Sequence, residues 1–195
     1  VRYKDVSGAG GVPDEKIDAS DYTYIGSPLP KFTFGLTNSF SYKNFDLSVF
    51  LQGSYGAKIF NFMKWQLTRE ANGYHNQSPD VLDMYSETNT KGKLPRFTAT
   101  NTNNTAMSDR YVEDGSYLRV QNITLGYRLP KEIINKAQIA SLRAFVSVQN
   151  LYTFTKYTGY DPEIGAYNNS ITLMNVDMGH YPNPRTVSCG LNVEF

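Results

Sequence analysis

Between Phe32 and Tyr55 the chain alternates, turns within two residues and alternates again, a pattern that few folds accept. Phe32, Phe34, Leu36, Phe40 and Tyr42 take every second position against Thr33, Gly35, Thr37, Ser39 and Ser41, and Asn38 is the one interruption of the apolar row. Lys43 and Asn44 make the connection. Phe45, Leu47, Val49, Leu51 and Tyr55 then alternate with Asp46, Ser48, Gln52 and Ser54, with Phe50 the one large apolar residue on the polar face. Period two marks a strand with one apolar face, and two such runs across a two-residue link predict a long hairpin. A strand of about eleven residues, tilted by about 40°, rises roughly 28 Å, close to the apolar band of a membrane β-barrel wall. The edge of a soluble β-sandwich alternates in the same way, so alternation alone leaves both architectures open.

Three further strands follow from the same period. In SYLRVQNITLGYRLP, from Ser116 to Leu129, the apolar phase slips: Leu118 and Val120 are even, whereas Ile123, Leu125, Tyr127 and Leu129 are odd. A one-residue slip predicts a β-bulge near Gln121 and Asn122. Pro130 ends this strand, and KEIINKAQIAS reads as a short turn with one helical turn in it. Leu142, Ala144, Val146 and Val148 begin a strand that reaches about Thr155, with the aromatics Tyr152 and Phe154 in its tail and Tyr157 just beyond. From Arg185 to Phe195, Val187, Cys189, Leu191, Val193 and Phe195 alternate with Thr186, Ser188, Gly190, Asn192 and Glu194. The segment 57–115 has no sustained period of two. Within it, IFNFMKWQLTRE fits a short amphipathic helix and TATNTNNT a polar loop.

The connections decide what alternation cannot. In chain order they are long (1–31), two residues, about sixty, about twelve and about twenty-eight, so long and short strictly alternate. Antiparallel strands would therefore gather the short turns at one end and the long loops at the other, as in outer-membrane barrels; a sandwich has no reason to do so. Aromatics at the strand ends, Tyr42, Phe45 and Tyr127 at one side and Phe32, Tyr55 and Phe154 at the other, fit interfacial girdles.

Composition agrees. The 195 residues include 15 Tyr, 11 Phe and 15 Gly but only 19% charged residues, which favours an all-β chain. No run approaches eighteen apolar residues, so no helix is expected to span a membrane. A net charge of +1 without a basic cluster gives no footprint for nucleic acid. Cys189 is the single cysteine and lies on an apolar face, where it packs as a small hydrophobe. The chain starts at Val1 with no signal peptide, and is expected to be a piece of a longer protein.

No constellation for catalysis is present. His75 and His180 fall in different loops without metal-ligand spacing, and no nucleophile motif accompanies them. Asp161 and Glu163 flank Pro162 and read as turn-shaping residues ahead of paired glycosidase carboxylates. Asp5, Ser7 and Gly10 resemble a calcium loop, but Ala9 takes a ligand position and Lys16 stands where a bidentate Glu is required. The expectation is a protein that is not an enzyme, with no cofactor and no metal.

The blocks DYTYIGSPLPKFTFGLTNSFSYKNFDLSVFLQGSYG, DGSYLRVQNITLGYRLP, VSVQNLYTFTKYTGYDPE and DMGHYPNPRTVSCGLNVEF, in that order, resemble the C-terminal end of the SusC/RagA family of TonB-linked outer-membrane transporters. The resemblance implies an antiparallel transmembrane β-barrel, of which residues 1–195 would supply the last five of 22 strands with long extracellular loops. It implies energy-dependent import of nutrient, commonly oligosaccharide and in some members peptide. A SusD-like lipoprotein would lid the barrel, TonB would pull on a plug outside these residues, and Phe195 would be the aromatic signal for barrel assembly. The family's usual acidic run before the first of these strands is reduced here to Asp5–Gly10, and the plug and N-terminal extension are absent from these residues. Five strands do not close around a lumen, and their edges need the rest of the barrel.

Within the long loops, Trp65, Tyr74, Tyr85, Tyr160, Tyr167 and Tyr181, with Asp161 and Glu163, are the substrate- or lid-facing candidates, because flat aromatic faces beside polar groups stack on sugars or dock proteins. The competing readings are an outer-membrane adhesin built on the same wall and a soluble carbohydrate-binding sandwich.

Overall fold

The computed structural model describes residues 3–6, 12–69, 76–96, 104, 106–134 and 139–195. Five long strands form one sheet: β1 (Phe32–Tyr42), β2 (Phe45–Tyr55), β5 (Tyr117–Arg128), β6 (Ser141–Thr155) and β7 (Thr186–Glu194). They lie in the order β1-β2-β5-β6-β7, and every neighbour is antiparallel. The two remaining strands, β3 (Lys58–Phe60) and β4 (Val112–Asp114), pair separately above this wall. They were not foreseen in the segment 57–115. The helix expected there is α1 (Phe62–Thr68), capped by the Asn61 side chain, which accepts from Lys64 N at 2.8 Å. The helical turn expected after Pro130 is α2 (Lys131–Ile134). Among the described residues no helix is long and apolar enough to cross a membrane.

The register makes one face continuous. Across the middle row Asn38 faces Val49, Val49 faces Ile123, Ile123 faces Val148 and Val148 faces Val187. Rows on either side join Phe40, Leu47, Leu125, Val146 and Cys189, and Leu36, Leu51, Val120 and Tyr152. Paired residues project to the same side of a sheet, so this face is apolar throughout except at Asn38. It is also uncovered: Phe40 is 60% exposed, Leu191 66% and Val187 67%. The girdles stack in pairs, Phe32 on Tyr55 at 5.4 Å and Phe45 with Tyr127 at 4.6 Å between ring centroids. Gly53 lies beneath the Phe34 ring, where a Cβ would come within 2.4 Å of it; the glycine lets the aromatic lie flat on the wall.

The bulge falls where the phase slipped. Between the rows Val49–Ile123 and Leu51–Val120, β2 advances two residues and β5 three, leaving Gln121 extra. From Val148 to Tyr152 β6 advances four, with Asn150 in the left-handed region at φ 51°. The extra backbone thus grows by one residue at each step from β2 to β5 to β6. The Gln121 Oε1 and Asn150 Oδ1 atoms are buried there without a partner among the described residues.

Few described side chains are fully buried, and most of them lie in the loop layer at the long-loop end. Ile59 is wholly buried, with Ala57, Tyr111 and Tyr157 close to it in burial. The wall has no core of its own.

Candidate functional site

The opposite, inner face of the wall is polar, and its long-loop end holds an ion network. Gln52, Arg119 and Thr153 form one inward row across β2, β5 and β6. The Arg119 side chain is 1% exposed, and three of its donors are used. Its Nε donates to Thr153 Oγ1 at 3.0 Å, Nη1 to Glu163 Oε2 at 2.7 Å, and Nη2 to Asp161 Oδ1. A buried guanidinium without such partners would be very costly, so the YDPE turn must fold back onto the wall. Asp161 also accepts from Glu163 N at 2.9 Å and Asn183 N at 3.3 Å, which closes the turn on itself.

A second set of contacts ties that loop to the insertion above β2 and β5. Glu113 on β4 accepts from Lys64 Nζ at 2.9 Å, Thr158 N at 2.8 Å and Thr158 Oγ1 at 2.8 Å. Burial pushes the Glu113 carboxyl up, but Lys64 and the two Thr158 donors outweigh it and hold the group below its ordinary value. Tyr157 donates its hydroxyl to Asp177, itself a cap for Gly179 N at 2.9 Å and His180 N at 3.0 Å. Burial and the Asp177 carboxylate together raise the Tyr157 phenol far above its ordinary value, so it stays a donor. Phe60 exchanges backbone bonds with Asn175 and Asp177, which seats residues 174–177 alongside β3. On β4's far side Asp114 accepts from Ser116 Oγ at 2.7 Å and Ser116 N at 3.0 Å, and these bonds lower its pKa despite burial.

The sequence candidates are dispersed over this layer. Tyr160 and Tyr181 project freely, at 79% and 84% exposed, while Tyr85 and Tyr167 are about half as exposed. Trp65 lies on α1 with Arg69 stacked at 4.0 Å and Phe62 at 5.0 Å. Asp161 is buried in the Arg119 network, and Glu163 shares it with a more open side chain. Phe195 is 90% exposed after β7. Tyr74 and His75 lie outside the described residues. Among the described residues no group of His, Cys, Asp or Glu is arranged to hold a metal ion. Arg119 and Glu113 were missed, though a lone arginine at an inward position of a long strand signals by itself a carboxylate to be found.

A wall of long antiparallel strands, apolar outside, polar inside, with folded loops at one end and tight turns at the other, is a segment of a transmembrane β-barrel. No protein-family model matches the chain. It is 39% identical over 197 residues to TonB-dependent receptor P3 of Formosa agariphila, covering 99% of this chain and 19% of that protein. TonB-dependent receptor SusC of Bacteroides thetaiotaomicron is 28% identical over 92% of the chain and 16% of its own length. The fold matches the RagAB peptide importer in its open-open state with a TM-score of 0.78 and 26% identity, over 97% of this chain and 20% of that one. A RagAB peptide transporter structure gives 0.80 at 25% identity, over 98% and 20%. Over nearly its whole length the chain is homologous to part of the TonB-dependent receptors, SusC among them, and shares the fold of part of the RagAB importer. It spans about a fifth of the length of the relatives it matches.

Proposed function

We propose that the chain is the C-terminal wall of an outer-membrane importer that takes up nutrient with energy from TonB. The observation that carries this reading is the asymmetry of the wall. Among the described residues its short-turn end carries the Lys43–Asn44 turn and the short α2, while its other end carries a loop layer bonded across residues 57–69, 108–117 and 156–183. An importer needs such a layer on the outside, to receive cargo and seat a lid; a passive wall would not. On this reading the strands are the last five of a 22-stranded barrel, and Phe195 ends the chain at the periplasmic side as its assembly signal. A SusD-like lipoprotein covers the loop layer, and TonB acts through the plug of the complete receptor.

Oligosaccharide is the first cargo to test, since Tyr160 and Tyr181 offer open aromatic faces for sugar rings. Peptide is the second, because the RagAB neighbours carry it. Deleting the gene and following uptake of labelled oligosaccharides and peptides decides between them. Unchanged uptake of both would leave the adhesin reading. Tyr160→Ala with Tyr181→Ala in the complete receptor should weaken cargo or lid binding, and binding unaffected by the pair would remove them from the site.

A further inference from the structure

Beyond the ends of β1 and β2 the backbone pairing continues: Lys31 N donates to Tyr55 O and Lys58 N to Ser27 O, both at 2.8 Å, and Gly115 N to Ala57 O at 2.9 Å. Gly56, at φ 88°, breaks the alternation after Tyr55, so that Lys58 comes to the side of Asp114, its partner across β3 and β4. Inward-facing Ser54 and Tyr117 line a cleft of about 210 Å³ together with Glu163 and Ala57. Tyr55, Lys58, Asp114 and Ser116 line a separate cleft of about 520 Å³ with Lys31 and Tyr24. Tyr55 belongs to the apolar row stacked with Phe32, so this larger cleft opens on the outside of the barrel, directly above the aromatic girdle.

Its charge is positive. Lys31 and Lys58 form no ion pair within 4.0 Å among the described residues; Asp114, bonded to both Ser116 donors and acted on by the Lys58 charge, offsets one of the positive charges. Lys156 adds a third positive charge near Asp114. Leu29 and Tyr24, both largely exposed, supply apolar surface at the same rim. Ammonium groups in excess of the one carboxylate, above an aromatic band at the level where a membrane's headgroups lie, match one chemistry.

We infer that this outward cleft binds the phosphate of a membrane lipid headgroup, with Lys31 and Lys58 as its cations and Tyr24, Leu29 and Tyr55 against the start of the acyl chain. The inference rests on the reading of the wall as lipid-facing. Lysine suits the site as a compact charge that reaches a phosphate without fixed geometry. The lipid would act as a collar, holding residues 24–31 and the β3–β4 pair at the rim.

The test uses the complete receptor in detergent micelles doped with diphosphorylated lipid A, with bound lipid followed by native mass spectrometry. Lys31→Gln with Lys58→Gln should weaken retention about 10- to 30-fold. Lys31→Arg with Lys58→Arg should retain it, as should Lys91→Gln in a distant loop. Retention unchanged in the glutamine pair, or equal retention of dephosphorylated lipid A, would overturn the site. Displacement by inorganic phosphate at equal concentration would also overturn it, showing a soluble-anion site. Quenching of a Leu36→Trp receptor by brominated lipid checks the wall separately. With quenching present, a negative lipid result sinks the cleft alone; without quenching, wall and cleft fall together.

Discussion

Arg143 and Arg119 project from the inner face of the same wall, and their surroundings could hardly differ more. Arg143 on β6 reaches diagonally across β5 to Asp46 on β2, with its Nε 2.9 Å from Oδ1. It passes over Gly126, where a Cβ would come within 2.4 Å of the guanidinium. This pair joins wall to wall, and both partners stay substantially open, 21% and 36% exposed. Arg119, at the other end, is sealed, and joins wall to loop. An ion pair open to water is weak, and losing it is easily tolerated; a sealed one is neither a large net gain nor removable. The short-turn end is thus stapled by a replaceable contact, whereas the long-loop end turns on a buried cation, with Lys64 on Glu113 as a more open second tie.

That contrast sets the order of expected effects. Arg119→Met should be the most damaging, costing about 3 to 5 kcal/mol because Asp161 stays buried without its cation. Amide exchange across 157–183 of the complete receptor should rise, and protection equal to wild type would break the contrast. Leu36→Arg comes next, at roughly 2 to 4 kcal/mol if it meets the bilayer interior, against a mild effect for Ser39→Arg on the inner face. Equal losses in folding into lipid bilayers would contradict the assigned faces. Arg143→Ala should cost under about 1 kcal/mol, as should Gly126→Ala, which displaces the guanidinium. A loss as large as that of Arg119→Met would erase the distinction between the two ends.

The smallest effect is one of pH. Glu113 has a folded pKa below its ordinary value of 4.5, so its bonds to Lys64 and Thr158 contribute stability that is fully present above that value. The contribution is lost as pH falls through the lower folded pKa. Protection of the Thr158 amide, relative to its intrinsic exchange rate at each pH, should therefore fall only on acidification below about 4.5, and Glu113→Gln should abolish that dependence. Dependence near neutrality would assign the protection to another group.

The wall was almost fully legible because alternation is a local signal. The Phe32–Tyr55 hairpin, the bulge at Gln121 and the pairing of the final strand with β6 all follow from which neighbours are apolar. The loop layer was not. β3 and β4 have three residues each, too short for a period, and they meet across more than fifty residues of intervening chain. Arg119 finds Asp161 from a separation of 42, which no local pattern carries. The widening of β6 around Asn150 escaped for a different reason: relative to β2 it inserts two residues, and an even insertion leaves parity unchanged.

That last feature gives the wall a reading frame. Removing two residues around Asn150 would preserve the face of everything before it and after it, whereas removing one would turn half of β6 inside out against β7. The same holds for Gln121, whose single extra residue is itself a frame shift that the apolar pattern of β5 already matches. Length changes inside these strands would therefore be tolerated in steps of two, a parity that the loops beyond Tyr55 and Thr155 do not impose outside their bonded residues. Receptors diverging from a common ancestor would carry that arithmetic in the lengths of their segments.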